Sequence, residues 1–309
     1  MLNVLSVDVE EYFHPTEVQP FVDSAHWAEY PSRIEAQVDR VLALLERRGA
    51  KATFFALGWV AEHHAPVLRA IRSAGHEIAC HSYAHRLVYQ LNPEEFRRDT
   101  ERAIAAIEDA CCVVPAAYRA PSYSVTRDSL WALEVLAACG FTHDSSIYPI
   151  AHDRYGIPGF DRHAHIILTP SGPIEEVPIA TASVWPGMVT PIGGGAYLRL
   201  LPYRYAAAGI RRINREERKP ACIYFHPWEL DPDVPRLARG RVSRLRTYAG
   251  IETMPAKLDR LLAEFQFASL RELYPCPVSP PGMAARNAAT PSVLGWTTIP
   301  SCGEPLTGR

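Results

Sequence analysis

A chain of 309 residues with 32 basic and 34 acidic side chains, a formal charge of −2, lacks the basic excess of a general nucleic-acid binder. Apolar residues at 48% and charged residues at 21% fit a globular protein with an ample core. No apolar run approaches the ~18 residues needed to cross a bilayer, so no transmembrane segment is expected. The N-terminus enters an apolar run with no basic region or cleavage site, which predicts a cytoplasmic protein without a signal peptide. Seven cysteines, odd in number and without Cys-x-x-Cys spacing, predict reduced thiols rather than a disulfide framework or zinc ribbon.

Taken in order, residues 4–7 read as a buried strand that ends on Asp8-Val9-Glu10-Glu11-Tyr12-Phe13-His14. Strand alternation puts Asp8 and Glu10 on one side, able to point at one place, although a solvated strand end would look the same. After a polar, aromatic connector, Ile34, Val38, Val41, Leu42 and Leu45 recur at helical spacing, with Ser32 as N-cap and Gly49 as the stop. Residues 52–57 form a second strand and 60–74 a second helix closed by Gly75. In that helix the adjacent His63 and His64 face different ways and read as surface residues. A third strand, 77–80, delivers His81-Ser82-Tyr83-Ala84-His85. Two imidazoles four residues apart can present two nitrogens to one metal ion.

Asn92-Pro93-Glu94-Glu95 is a helix start, with Asn as cap and Glu at the third position, for a helix reaching about residue 110. Residues 116–119 make a fourth strand that ends in Arg119-Ala120-Pro121-Ser122-Tyr123-Ser124. A helix to Cys139 then leads to a fifth strand, 141–144. Strand followed by helix, with polar residues just after each strand, is the order of a parallel sheet or (β/α) barrel with its chemistry at the strands' carboxyl ends. We expect a distorted, incompletely closed barrel of about seven strands, with a β-hairpin over 164–179 inserted near the site. Gly193-Gly194-Gly195 could cradle an anion but lacks the Lys-Ser/Thr of a phosphate loop. A basic helix spans 205–218, and a buried strand over 221–225 ends on His226-Pro227-Trp228-Glu229. The Arg-rich 231–250 loop reads as solvated, with an anionic substrate as the alternative. A last amphipathic helix covers 257–265, and 276–309 reads as a disordered tail.

Asp8/Glu10, His81/His85, Arg119-Ala120-Pro121, Asp144 and His226, in that order and spacing, resemble the polysaccharide deacetylases with a NodB-homology domain, carbohydrate esterase family 4. The resemblance runs over about residues 2–275. Residues 6–14, 119–124 and 224–229, the Gly triplet, and an extension bearing Thr253 and Leu261-Leu262 look most like the subgroup associated with exosortase-linked exopolysaccharide gene clusters. This implies an α/β protein, a distorted (β/α)7 NodB-type barrel with a β-hairpin insertion and a C-terminal extension, whose catalytic domain covers 1–275. It implies metal-dependent hydrolysis of N-acetyl groups on an amino-sugar polysaccharide or its precursor, the partner being an N-acetylated glycan and not nucleic acid.

The cofactor implied is one divalent metal ion, zinc first and cobalt, manganese, nickel or iron as alternatives, held by Glu10, His81 and His85. By the same resemblance Asp8 is the base, Arg119 orients it, Asp144 pairs with Arg119, and His226 is the general acid. Ser122, Tyr123, Tyr224 and Trp228 would meet the substrate, with a backbone N–H near Ser122 or Tyr123 for the oxyanion. The chain departs from the family where Val9 separates the two first-motif acids, where Ile147-Tyr148 replaces a Trp, and where Tyr224 replaces a Leu. A metallohydrolase of another C–N bond would use the same residues, and an inactive sugar-binding module would keep the fold.

Overall fold

The computed structural model describes residues 1–185, 188–275, 290–291 and 297–300. Its first part repeats strand and helix: β1 (Leu2–Val9), α1 (Ile34–Arg48), β2 (Thr53–Ala56), α2 (Gly58–His63), α3 (Ala65–Ser73), β3 (Glu77–Cys80), α4 (Pro93–Cys111), β4 (Ala117–Tyr118), α5 (Trp131–Ala138) and β5 (His143–Asp144). Two antiparallel hairpins follow, β6 (His165–Thr169) with β7 (Gly172–Glu176), and β8 (Thr181–Trp185) with β9 (Met188–Pro191). Then come α6 (Ala196–Leu200), α7 (Tyr203–Arg212), β10 (Cys222–Phe225), α8 (Arg241–Tyr248), α9 (Met254–Glu264), β11 (Gln266–Ala268) and α10 (Leu270–Leu273). Beyond them lie β12 (Thr290–Pro291) and β13 (Thr297–Pro300).

Seven strands run parallel in the order β10-β1-β2-β3-β4-β5-β7. β1 and β2 are buried on both faces and so show no alternation of buried and exposed positions; the polar Ser6 and Asp8 within β1 are satisfied by Arg119. The gap between β7 and β10 has no ladder. Single contacts span it: Ala180 N–H donates to Cys222 O at 2.9 Å, and Gly194 bridges Tyr224. The barrel is therefore distorted and incompletely closed. The expected hairpin is present, but β7 serves as a barrel strand while β6 extends the sheet.

The glycine triplet belongs to that seam and not to an anion cradle. A Cβ on Gly194 would overlap Tyr224 O and lie 2.8 Å from its carbonyl carbon, at a φ of +136° that side chains rarely adopt. On Gly193 it would lie 2.9 Å from Ala180 N. Only bare backbone fits between the hairpin region and β10.

Local signals set the helix ends. Asn92 accepts from Glu95 N–H at 2.9 Å while Glu95 accepts from Asn92 N–H at 3.0 Å, a reciprocal cap of α4. At α1 the cap position is Arg33; Ser32 instead donates to the buried Glu11. The expected helix over 60–74 is two helices: the chain leaves helical geometry at His64, and Pro66, which has no N–H to continue the preceding ladder, sits in the first turn of α3. The five described cysteines are free. Among the described residues no helix is long and apolar enough to cross a membrane. Most of 276–309 lies outside the described residues, but β13 pairs antiparallel with β6, so at 297–300 the expectation of a disordered tail does not hold.

Gly194→Ala should cost more than about 2 kcal/mol, since it adds a positive-φ penalty to a backbone overlap. A melting temperature within a degree of wild type would show that the seam tolerates a side chain.

Candidate active site

The carboxyl ends of β1, β3, β4 and β10 open into one cavity of about 570 Å³. Glu10, His81 and His85 meet there, all buried, with one ligand atom from each within 4.8 Å of the others. His81 Nδ1 donates to Arg119 O at 2.8 Å, which turns Nε2 toward the site. Burial holds the His81 ring down at about 4, so it is neutral near pH 7 with a lone pair to give. Glu10 Oε1 accepts from Trp228 Nε1 at 3.2 Å, whereas Oε2, 2.9 Å from His85 Nε2, has no hydrogen bond. Burial opposes ionisation of Glu10, yet the imidazoles of His85, His226 and His81 hold its carboxyl far below the usual range. A carboxylate with an unspent oxygen beside two imidazoles is a donor set that fits zinc or a similar borderline divalent ion. The connecting loop is strained: Ser82 and His85 have φ of +64° and +52°, and Ser82 Oγ accepts His85 N–H at 3.2 Å.

Arg119 has no solvent contact. Its Nη1 donates to Asp8 Oδ1 at 2.7 Å and Ser6 Oγ at 2.8 Å. Nη2 donates to Ser145 Oγ at 2.9 Å and Nε to Ser145 O at 3.2 Å. The expected Arg119–Asp144 pair does not form. Parallel register sets Asp144 beside Glu176 of β7 instead, and Ser146 donates to it through its Oγ and, at 3.2 Å, its N–H. Arg119 has already spent its donors on Asp8 and two serines. Burial, then the neighbouring Asp144, push the Glu176 carboxyl well above its ordinary value, so Glu176 carries the proton of this pair.

His226 ends β10 with Nε2 3.5 Å from Glu10 Oε1 and 4.0 Å from Asp8 Oδ2. Burial favours the neutral ring, but Glu229, Glu10 and Asp8 raise it to about 9. Glu229 Oε2 accepts His226 N–H at 2.8 Å and lies 3.3 Å from Nδ1. Glu229 was not anticipated as a site residue; its spacing three residues after His226, as in a capping box, was the available signal.

Ser122, Tyr123, Tyr224 and Trp228 all line the cavity. Ser122 and Tyr123 sit in left-handed conformations, φ +50° and +54°, and Tyr123 N–H is taken by Ala120 O at 3.1 Å. Trp228 is turned inward: it holds Glu10 and stacks on His226 with centroids 4.9 Å apart. The Arg-rich 231–250 segment is not merely solvated, since Leu245, Arg246 and Thr247 of α8 reach the cavity wall.

Residues 27–143 match the family model for polysaccharide deacetylase. The deacetylase match contains His81, His85 and Arg119, whereas Asp8 and Glu10 precede it. His226 and Glu229 fall in residues 145–275, which match a domain of unknown function (DUF3473). A peptidoglycan deacetylase-like protein of Gibberella zeae is 33% identical over 112 residues, 36% of this chain and 32% of that protein. A peptidoglycan-N-acetylglucosamine deacetylase of Bacillus cereus is 29% identical over 96 residues, 31% of this chain and 35% of that protein. The chain thus spans about a third of the length of these curated relatives. A crystal structure of a candidate polysaccharide deacetylase from Mycobacterium smegmatis aligns over 87% of both chains at 20% identity with a TM-score of 0.59, and shares the fold.

The Asp144–Glu176 pair yields a prediction about pH. The native state keeps a proton on Glu176 above the ordinary carboxyl value of 4.5, so it binds more protons than the unfolded chain and stability falls as pH rises past that value. Glu176→Gln keeps the donor to Asp144 and removes the titration. Its melting temperature relative to wild type should therefore climb between about pH 5 and pH 8. A difference that stays constant or shrinks over that range would contradict the assignment.

Proposed function

We propose that this chain is a metal-dependent N-deacetylase of an amino-sugar polysaccharide or its precursor. What carries the reading is the meeting of Glu10, His81 and His85 with the Asp8–Arg119 pair and His226 in one cavity. Glu10, His81 and His85 would hold one divalent ion, zinc first, with cobalt, manganese, nickel or iron as alternatives. The chemistry supplied by such an ion when bound is polarisation of the acyl carbonyl and acidification of water.

The remaining steps belong to this chain's own side chains. Arg119 pins Asp8 through Oδ1, and the free Oδ2 takes the proton of the attacking water. The oxyanion leans on Ser122 N–H, because Tyr123 N–H is already spent; one such donor is worth about 3 to 4 kcal/mol in comparable sites. His226 protonates the departing nitrogen from Nε2 while Glu229 steadies its Nδ1 side. Tyr123, Tyr224 and Trp228 wall the acyl end.

Residues 1–275 act as one catalytic unit, since the deacetylase match supplies neither Asp8 and Glu10 nor His226. The N-acetylated hexosamine glycan is supported by the relatives named for peptidoglycan and chitooligosaccharide substrates. The motif variants at 6–14, 119–124 and 224–229 support an exopolysaccharide of the exosortase-linked kind.

Acetate release from N-acetylated glycans, assayed with each divalent metal, tests the activity; no release with any metal would leave an inactive sugar-binding module. Two variants separate the acids. Asp8→Asn should keep its metal and lose about 10²- to 10⁴-fold in turnover, because an amide cannot accept the water's proton. Glu10→Ala should bind metal at least about tenfold more weakly, with activity partly restored by excess metal. Metal content and acetate release measured on both decide the matter, and the opposite pattern would exchange their roles.

A further inference from the structure

Arg199 lies on α6, inside the stretch matched only by a domain of unknown function, and is 2% exposed. Every nitrogen of its guanidinium is spent. Nε donates to Glu229 Oε1, Nη1 to Ala249 O at 2.7 Å, and Nη2 to Arg246 O at 2.6 Å. Its own carbonyl accepts from Lys257 Nζ, which also reaches Leu201 O at 2.9 Å. A Cβ on Gly250 would overlap that same carbonyl, so α6 and the turn after α8 are in close contact. A cation this deeply buried is held by excellent geometry or not at all, and its charge partner is the fully buried Glu229.

We infer that Arg199 is a positioning residue for His226, acting through Glu229. Arg199 fixes one carboxylate oxygen of Glu229. The other oxygen accepts the backbone N–H of His226 at 2.8 Å and lies 3.3 Å from Nδ1 without a formed hydrogen bond, so it holds the ring by position and charge, with Nε2 facing the cavity. A carboxylate behind an imidazole sets its orientation and tautomer, and loss of that function costs turnover rather than binding. The Arg246 and Ala249 carbonyls at the end of α8 hold the guanidinium in place, so that its Nε stays on Glu229.

The inference rests on the deacetylase reading, in which His226 gives the leaving-group proton. In amide hydrolysis the water oxygen bonds to the acyl carbon and the water proton passes to Asp8. The C–N bond breaks with its electron pair on nitrogen, and that nitrogen takes the proton of His226 Nε2. An aryl oxide leaves without being protonated. Arg199 therefore matters for an N-acetyl substrate and not for an activated aryl ester of the same acyl group.

The test compares wild type, Arg199→Gln, Arg199→Lys and the double variant Arg199→Gln/Glu229→Gln, each loaded to the same metal content. The substrates are an N-acetylated chito-oligosaccharide and 4-nitrophenyl acetate. Arg199→Gln should lose about tenfold or more in kcat on the oligosaccharide with little change in KM, and stay within about threefold of wild type on the aryl ester. Arg199→Lys, which keeps the charge, should recover part of the loss. The double variant buries no unpaired charge and should show the same amide-selective loss if Arg199→Gln alone does not fold. Equal losses on both substrates, or none on the oligosaccharide, would overturn the inference while the deacetylase reading stands. A wild type that cleaves the aryl ester and no N-acetyl glycan would overturn that reading and this inference with it.

Discussion

A guanidinium without solvent sits at the centre of the barrel, and the site depends on how Arg119 is satisfied. Removing such an ion from water costs several kcal/mol even after relaxation, so its partners must be close and numerous. They come from β1 through Ser6 and Asp8 and from the end of β5 through Ser145, while Phe55 of β2 lies under the cation at 4.1 Å. Once the strands close around Arg119, Asp8 has one position. The backbone of the same residue accepts the Nδ1 proton of His81. Thus one buried arginine orients the base with its side chain and a metal-binding imidazole with its carbonyl.

The site is assembled from four stretches that are distant in sequence. The end of β1 contributes Asp8 and Glu10, the segment after β3 contributes His81 and His85, the segment after β4 contributes Arg119, Ser122 and Tyr123, and the end of β10 contributes His226, Trp228 and Glu229. Because β1 pairs with both β2 and β10, folding of the barrel is what brings the acids between the imidazoles. Trp228 fastens the arrangement by holding Glu10 and stacking on His226. Opposite charge explains how Glu10 and His226 share so dry a space. Glu10 is held as the anion by the rings around it, and His226 is held protonated by the carboxylates it faces.

Features written in local chemistry were legible from the sequence. The Asn92–Glu95 cap, the apolar central strands and the polar residues at strand ends all follow from near neighbours along the chain. The spacing of His81 and His85 pointed to one shared ion, whereas Glu10 came only from the family resemblance; its carboxylate lies within 4.8 Å of both imidazoles. Pairing across strands was harder to read. The resemblance paired Asp144 with Arg119, and nothing local announces that β5 registers against β7 and delivers Glu176 to it instead. The Gly193–Gly195 run resembles an anion loop until the neighbour, Tyr224 of β10, is known. The edge pairing of β13 with β6 was hidden by a composition that bears no periodic signal.

The most direct test of a metal on Glu10, His81 and His85 is anomalous scattering from crystals of the cobalt- or zinc-loaded protein, recorded on both sides of the absorption edge. A single peak bounded by those three side chains, with Asp8 still bonded to Arg119 and outside the coordination sphere, is the result expected. A peak on Asp8, a peak on another cluster, or none at saturating metal would contradict it.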